Sequence, residues 1–437
     1  MALGPEIALR RWPLAASAIG IVGAMVWTLG TARHVDHMAT WQAPPDIWAT
    51  LHGANLVCWG DLGGLYGSGA GLVSFPGAVL ILVPAALVSA VLGLQGAFPF
   101  PIPHPSAWLV VGPYEVAVSS VALLAVDAFA RHLEVPPGRR AVLSVAGAVV
   151  LFPVDVVWGH PEDAVAVGLL LYATLAALHG RHRRAGWFAG AAVAVQPLVL
   201  LGLPVVAAIV GWRRLAGLLV RAAVPSAALL AVCVVGDPHA TIHALVQQPN
   251  FPNLDRVTPW TALAPVIGGA GRAEAVAAGP GRAVAVAGAI LLGLVMACRQ
   301  RGPVRSSAGV IPGQGPLAGY QAVWVMAVAL SLRCLTESVM DPYYLWPGLG
   351  LGLLAAAAVG GRRLAVAAVV AVGTAFLGEI HPVWWAWWTG VNAGLLAVVG
   401  CGTTRSLWGR HSSSTLEMPL GHLEADRPGL AAVQPGG

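Results

Sequence analysis

The chain has 437 residues, of which 57% are hydrophobic and only 10% charged, with a formal net charge of +5 and a mean hydropathy of +0.75. That composition excludes an ordinary soluble domain and describes a polytopic membrane protein. There is no lysine, so the basic charge is all arginine, and with the Ala/Gly/Val richness this points to a GC-rich genome. The arginines sit in short clusters at the ends of apolar stretches, which is the positive-inside pattern of membrane topology and not a nucleic-acid surface.

In chain order, Arg10 and Arg11 precede an apolar stretch over 13–31 that lacks a small-residue cleavage site and reads as a signal anchor. A second stretch, 74–95, opens at Ser74-Phe75-Pro76 and contains Pro84. Stretches at 108–130, 140–158 and 163–180 follow, then one at 186–210 that is broken at Gln196-Pro197 and again at Pro204, where proline removes backbone hydrogen bonds. The remaining stretches lie at 214–235, 284–298, 317–335, 343–360, 363–379 and 384–401. From about Cys401 the chain turns polar and Pro/Gly-rich. The expected organisation is one membrane-embedded domain over 1–402 and a disordered cytoplasmic tail over 403–437. The expected fold is all-α, with about 10–12 hydrophobic helices, some re-entrant or broken.

Placing Arg10/Arg11, Arg139/Arg140, Arg181/Arg183/Arg184, Arg213/Arg214, Arg299/Arg301/Arg305, Arg362/Arg363 and Arg405/Arg410 all in the cytoplasm requires an even number of crossings between consecutive clusters. Two stretches break that parity, 74–95 and 186–210, and both read as re-entrant or interfacial segments lining protein or a cavity. The alternative accepts two violations of the charge rule and lets all twelve stretches cross. With the parity kept, the outer face collects most of the acids.

Gly159-His160-Pro161-Glu162-Asp163 stands between two apolar stretches and holds three ionisable groups at membrane depth, where a carboxylate costs about 2.5 kcal/mol or more by insertion scales. It reads as part of a polar cavity; a helix cap, with Pro161 at the first helical position and the acids in the first turn, is the bland alternative and compatible with it. Arg333 lies inside an apolar stretch and needs either Glu337, four residues on, or a phosphate to neutralise it. The loop over 236–281, with Gln247-Gln248-Pro249-Asn250 and Asp255-Arg256, is either an acceptor loop or a plain polar connection. Trp384, Trp385, Trp387 and Trp388 read as an aromatic belt at the membrane interface. The five cysteines show no metal-ligand spacing, no tight Asp-x-Asp pair indicates a divalent metal, and phosphate-loop, nucleotide-fold and Ser-nucleophile signatures are absent.

The order of short motifs along most of the membrane region resembles integral-membrane glycosyltransferases of the GT-C type, and among them the bacterial polyprenol-phosphate-mannose-dependent enzymes. The resemblance is carried by Gly60-Asp61-Leu62, Leu65-Tyr66 and Phe75-Pro76. Gly159-His160, Ala185-Gly186, Gly190-Ala191-Ala192, Gln196-Pro197 and Asp341-Pro342-Tyr343-Tyr344 follow in the same order. It departs from the family where Gly-His-Pro-Glu-Asp stands for Gly-Gln, Gln196 for a lysine, and Asp341-Pro342-Tyr343 for a histidine-containing turn.

The resemblance implies inverting transfer of a sugar, mannose first and a pentose such as arabinofuranose second, from a polyprenyl-phosphate donor to a hydroxyl of a glycolipid or cell-envelope glycan. The reaction would take place at the outer face of the bacterial plasma membrane with no cofactor. By the family's offset the general base is Asp46, with Asp36 as runner-up and Asp61 a turn residue. His160, Glu162, Asp163, Gln196, Arg256, Arg333, Glu337, Asp341, Tyr343 and Tyr344 are the candidate substrate-binding residues. A membrane transporter of a polar or lipid-linked substrate, which also has broken helices and buried acids, is the alternative, although the halves show no internal repeat.

Overall fold

The computed structural model describes residues 11–32, 45–67, 72–94, 108–247, 250, 256–270, 273–300, 316–380 and 384–404. Thr404 is the last of these, so the expected tail beyond its first two residues lies outside the described residues, as does Asp36. The chain is an all-α polytopic membrane protein, and eight of its described helices are long and apolar enough to cross a bilayer. The helices are α1 (Arg11–Ala32), α2 (Pro45–Cys58), α3 (Pro76–Val91), α4 (Trp108–His132), α5 (Pro137–Phe152), α6 (Pro161–Leu178), α7 (His182–Val195) and α8 (Leu203–Val210), followed by α9 (Leu215–Gly236), α10 (Pro238–Gln247), α11 (Pro280–Gln300), α12 (Pro316–Thr336), α13 (Leu345–Val359), α14 (Gly361–Glu379) and α15 (Trp384–Cys401).

Two helices form the centre. Every residue of α13 from Leu345 to Ala357 is buried, and so are all residues of α6 except Leu169 and Tyr172. By contrast α9, α11 and α14 expose most of their surface, much of it valine and leucine, as helices facing lipid tails do. Lipid is as apolar as leucine, so helices associate through close backbone approach at small residues rather than through hydrophobic burial. Gly186 and Gly190 form such a seam on α7: a Cβ at Gly190 would lie 2.5 Å from the Arg221 carbonyl oxygen of α9. Gly348 and Gly352 of α13 do the same against Ser331 of α12 and Val398 of α15.

The segment around 186–210 rises and returns instead of crossing. α7 starts at the arginines Arg181–Arg184 and climbs to Gln196, where the chain becomes extended (φ −150°, ψ 114°) because Pro197 has no N–H with which to continue the helix. A 3-10 turn, Pro197–Leu201, and α8 then run back past Leu170, Met326 and Gly293. Arg213 and Arg214 finish in the same pocket as Arg181, Arg183 and Arg184. The chain breaks first at Gln196-Pro197 and again at Gly202, after which Pro204 sits in the first turn of α8 without interrupting it.

Helix α3, 16 residues long, also keeps to one end of the molecule: Gly77 abuts Ala194 at the top of α7, and the Tyr114 hydroxyl donates to the Ile81 carbonyl at 2.6 Å. The same end holds two short antiparallel pairs, β1 (Arg256–Val257) with β4 (Val339–Met340), and β2 (Val266–Ala270) with β3 (Ala273–Val276).

Two consequences are open to measurement. Cysteines introduced as Arg183→Cys and Arg213→Cys will react with an impermeant thiol reagent from one side of oriented vesicles, and Ala262→Cys from the other; labelling of positions 183 and 213 from opposite sides would return the segment to a single crossing. Gly190→Leu, which drives a side chain into the α9 backbone, will lower stability by about 1–3 kcal/mol or more, read as a fall in thermal midpoint in detergent.

Candidate functional site

The site is built where α6 begins inside the protein. Ahead of it, α5 ends in a π-turn, Pro153–Val157, in which the Trp158 amide reaches back to the Pro153 carbonyl (3.0 Å). Proline at 153 cannot donate to the preceding turn, and π-turns are frequent where a helix carries a functional side chain. The turn presents Asp155 inward. Gly159 follows at φ +68°, a left-handed conformation that glycine adopts without a Cβ penalty, and this reverses the chain into α6. Pro161 is the first helical residue, so Glu162 and Asp163 occupy the first turn, favoured by the helix dipole. The cap reading therefore holds, and the acids are nevertheless spent on the interior: both are buried.

Each acid has a different partner. The His160 ring Nδ1 and a Glu162 carboxylate oxygen are 2.7 Å apart. The Gln196 side-chain amide, delivered by the α7 break, donates to Asp163 Oδ1 at 2.7 Å, while Asp163 Oδ2 has no hydrogen-bond partner among the described residues. Asp155 accepts from the Ser119 hydroxyl of α4 at 2.7 Å. Glu115, one turn earlier on α4, is fully buried with neither carboxylate oxygen hydrogen-bonded among the described residues, and Asp155, Glu162 and His160 all lie within electrostatic reach of it.

The cations come from the facing helices. Arg333, in the last turn of α12, lies 3.5 Å over the Tyr344 ring, a cation–π contact, and its Nε is 3.8 Å from Glu337. The expected Arg333–Glu337 pair is therefore present but long. Glu337 is held more tightly by Arg282 at the start of α11, at 2.6 Å, and Arg333 Nη1 keeps no hydrogen-bond partner among the described residues. Tyr343 stacks on His160 with ring centres 3.8 Å apart and meets Tyr344 edge-on at 4.6 Å. Asp341 is buried beside them, its carbonyl accepting from the Tyr344 amide at 3.0 Å. Arg256 pairs with Met340 in the β1–β4 register, buried between the rings of Trp158 and Trp387 at 5.3 and 4.9 Å. Trp158 in turn donates to both oxygens of Glu379, at 3.0 and 3.1 Å.

Ten of the residues singled out from the sequence thus converge at one end of the bundle: His160, Glu162, Asp163, Gln196, Arg256, Arg333, Glu337, Asp341, Tyr343 and Tyr344. The other two do not enter the description as side chains. Asp36 lies outside the described residues, and Asp46 is described only as backbone in the first turn of α2. Sequence reasoning missed Glu115 and Asp155, although an acid beside Pro113-Tyr114 and another after Pro153, each in an apolar stretch, were visible signals. Of the tryptophans expected at the membrane interface, Trp387 is buried and donates to the Leu377 carbonyl, so it faces the protein interior, while half-buried Trp388 donates to the carbonyl of Cys334.

Chemically the cluster offers carboxylates that accept hydrogen bonds from hydroxyls, a His–Glu pair in which the carboxylate orients the imidazole, aromatic faces, and one buried guanidinium nitrogen, Arg333 Nη1, without a hydrogen-bond partner among the described residues. No group of three or more His, Cys, Asp or Glu among the described residues is arranged to hold a metal ion.

Glu337→Ala will lower stability by about 3–5 kcal/mol, because it strips the carboxylate from two arginines and leaves Arg333 buried and unpaired. Thermal unfolding of Glu337→Ala alongside exposed Glu134→Ala checks this; equal midpoints would mean that Glu337 does not hold the site together. No protein-family model matches the chain, and no curated protein matches it.

Proposed function

We propose that the chain is a membrane glycosyltransferase that moves a sugar from a polyprenyl-phosphate donor to a hydroxyl of a glycolipid or cell-envelope glycan, with inversion, at the outer face of the membrane. The observation that supports this reading is the convergence of separate segments. Gly159-His160, Gln196-Pro197 and Asp341-Pro342-Tyr343-Tyr344 are far apart in sequence, were each singled out by the resemblance, and meet around Arg333.

In this reading Arg333 and Arg256 face the donor phosphate and stabilise the charge that grows on it as the sugar leaves. The His160–Glu162 pair and Asp163 hold sugar or acceptor hydroxyls, and Tyr343 gives a ring face to the sugar. The base that takes the acceptor proton is an aspartate of the first outer loop, Asp46 before Asp36. Helix α3, which follows that loop in the chain, has Gly77 against Ala194, two residues before Gln196. Mannose is the first sugar to test and a pentose the second.

A transporter is the second reading, favoured by the helix break at Gln196 and by the buried, unpartnered carboxylate oxygens of Glu115 and Asp163.

Transfer of labelled sugar from synthetic polyprenyl-phosphate sugars to envelope lipids and glycans, in membranes holding the wild-type chain, separates the two. A base substitution, Asp46→Asn, is expected to lower transfer about 10²–10⁴-fold with expression unchanged; if Asp36→Asn does so instead, the base moves and the class stands. Absence of transfer from every donor, together with no binding of a donor analogue and uptake of label into vesicles, would replace the enzyme by the transporter.

A further inference from the structure

The opposite end of the bundle carries a second site, independent of the reading above. The start of α1, the end of α4, the start of α5, the end of α6 and the start of α7 surround a cavity of about 1150 Å³. Arg11, Arg131, Arg140, Arg181 and Arg184 line it, and among the described residues no carboxylate does. Asp127, buried below, ties down Arg140 at 2.6 Å and approaches Arg131 at 3.5 Å, so one negative charge answers two of the five arginines. Exposed Glu134 lies within electrostatic reach of the neighbouring His132 but outside the lining.

Two nitrogens of lining residues, Arg131 Nε and His132 Nε2, are shielded from solvent with no hydrogen-bond partner among the described residues. A second pocket of about 640 Å³ shares Arg181 and Arg184 and adds Arg183, Arg213, Arg214 and Arg221.

Topology alone requires positive charge at this end, not a cavity built from it. The same protein supplies the contrast: Arg362 and Arg363 begin α14 at this end and, although exposed like Arg11, Arg181 and Arg184, line neither cavity, Arg363 donating instead to the carbonyls of Cys401 and Thr403.

The rest of the wall is apolar. Trp12, Tyr172 and Phe188 line it, with Arg11 stacked 4.7 Å over Trp12 and Tyr172 against Phe188 at 6.0 Å. Trp12 and Phe188 are each more than a third exposed. A phosphate among arginines with acyl chains along an aromatic wall satisfies both halves of this lining, as basic pockets between membrane helices hold anionic headgroups.

We infer that this cavity is a binding site for an anionic phospholipid, its phosphate held by Arg11, Arg181 and Arg184 and its chains laid against Trp12, Tyr172 and Phe188. A free phosphate shares the headgroup chemistry but leaves the aromatic wall without a partner.

The test uses the full chain, delipidated in detergent, with short-chain phosphatidylglycerol, short-chain phosphatidylcholine and inorganic phosphate as separate probes, read by native mass spectrometry and thermal midpoint. Phosphatidylglycerol is expected to bind at defined stoichiometry and raise the midpoint, and phosphatidylcholine is not. Arg181→Gln/Arg184→Gln will weaken phosphatidylglycerol about 30-fold, as removal of two interfacial arginines should, while Arg362→Gln/Arg363→Gln leaves it unchanged. Equal weakening by both double variants, or equal binding of the two lipids, would assign the arginines to topology alone and overturn the site. Binding of inorganic phosphate in place of phosphatidylglycerol would overturn the lipid assignment. Matching elution profiles of all variants separate lost binding from lost fold.

Discussion

An ion at membrane depth must find its partner within the protein, and the architecture at the acidic end follows from that requirement. Water is not there to solvate Glu162, Asp163 or Arg333, and each such group costs about 2.5–3.5 kcal/mol on insertion even by the mildest scales. α6 brings two carboxylates to the centre in its first turn, so neighbours had to be recruited around that point. Gln196 reaches Asp163 because α7 stops there, and His160 reaches Glu162 because Gly159 turns the chain back on itself. Arg333 brings α12 into the same set and passes the demand to Glu337, which Arg282 of α11 meets more closely. Helices that share no continuous hydrophobic driving force are thereby fixed in register by a handful of polar contacts.

The opposite end solves the inverse problem. Its arginines gather at helix ends, where long side chains reach the interface, and the rising and returning path of α7 and α8 lets two clusters share one end while a strongly apolar segment intervenes. That path depends on glycine as much as on proline. Pro197 ends α7 at the depth of Asp163, while Gly186 and Gly190 allow α9 to lie close enough against α7 to support it. The hairpin would otherwise stand alone in lipid with a broken backbone at its tip, which membranes do not tolerate.

The sequence made legible whatever depends on local runs of chemistry. Apolar length located the long helices but not α2 or α10, which form in stretches that read as loops; proline located the break at Gln196, and the arginine parity identified 186–210 as a segment that returns. The acids of α6 were conspicuous because they interrupt hydrophobicity between two long stretches. Glu115 and Asp155 were visible as single acids in apolar stretches, but only the fold shows that both face the α6 start. Partner choice was equally hidden. Arg333 and Glu337 are spaced for one helix face, but Glu337 sits past the last helical residue, Thr336, and turns to an arginine 55 positions earlier. The tryptophans of α15 read as a belt because tryptophan favours interfaces, yet Trp387 is buried and finds the Leu377 carbonyl, the partner an indole N–H needs once buried.

Charge balance decides which groups a ligand would meet first. The acidic end gathers Glu115, Asp155, Glu162, Asp163, Glu337, Asp341 and Glu379 against Arg256, Arg282 and Arg333, so it does not attract anions as a whole. An anionic donor must therefore be recognised locally, by a cation whose own pairing is weak. Arg282 is committed to Glu337 at 2.6 Å, whereas Arg333 holds the same carboxylate only at 3.8 Å, rests on an aromatic face and keeps a buried Nη1 with no hydrogen-bond partner among the described residues. A phosphate arriving at Arg333 would displace little, because Glu337 keeps its closer partner. A cationic cargo would instead be drawn to the unpartnered oxygens of Glu115 and Asp163, deeper along α4 and α6. Transferase and transporter thus make their first demand on different side chains of the same cluster, and the asymmetry between the two arginines around Glu337 is the physical feature that favours the transferase.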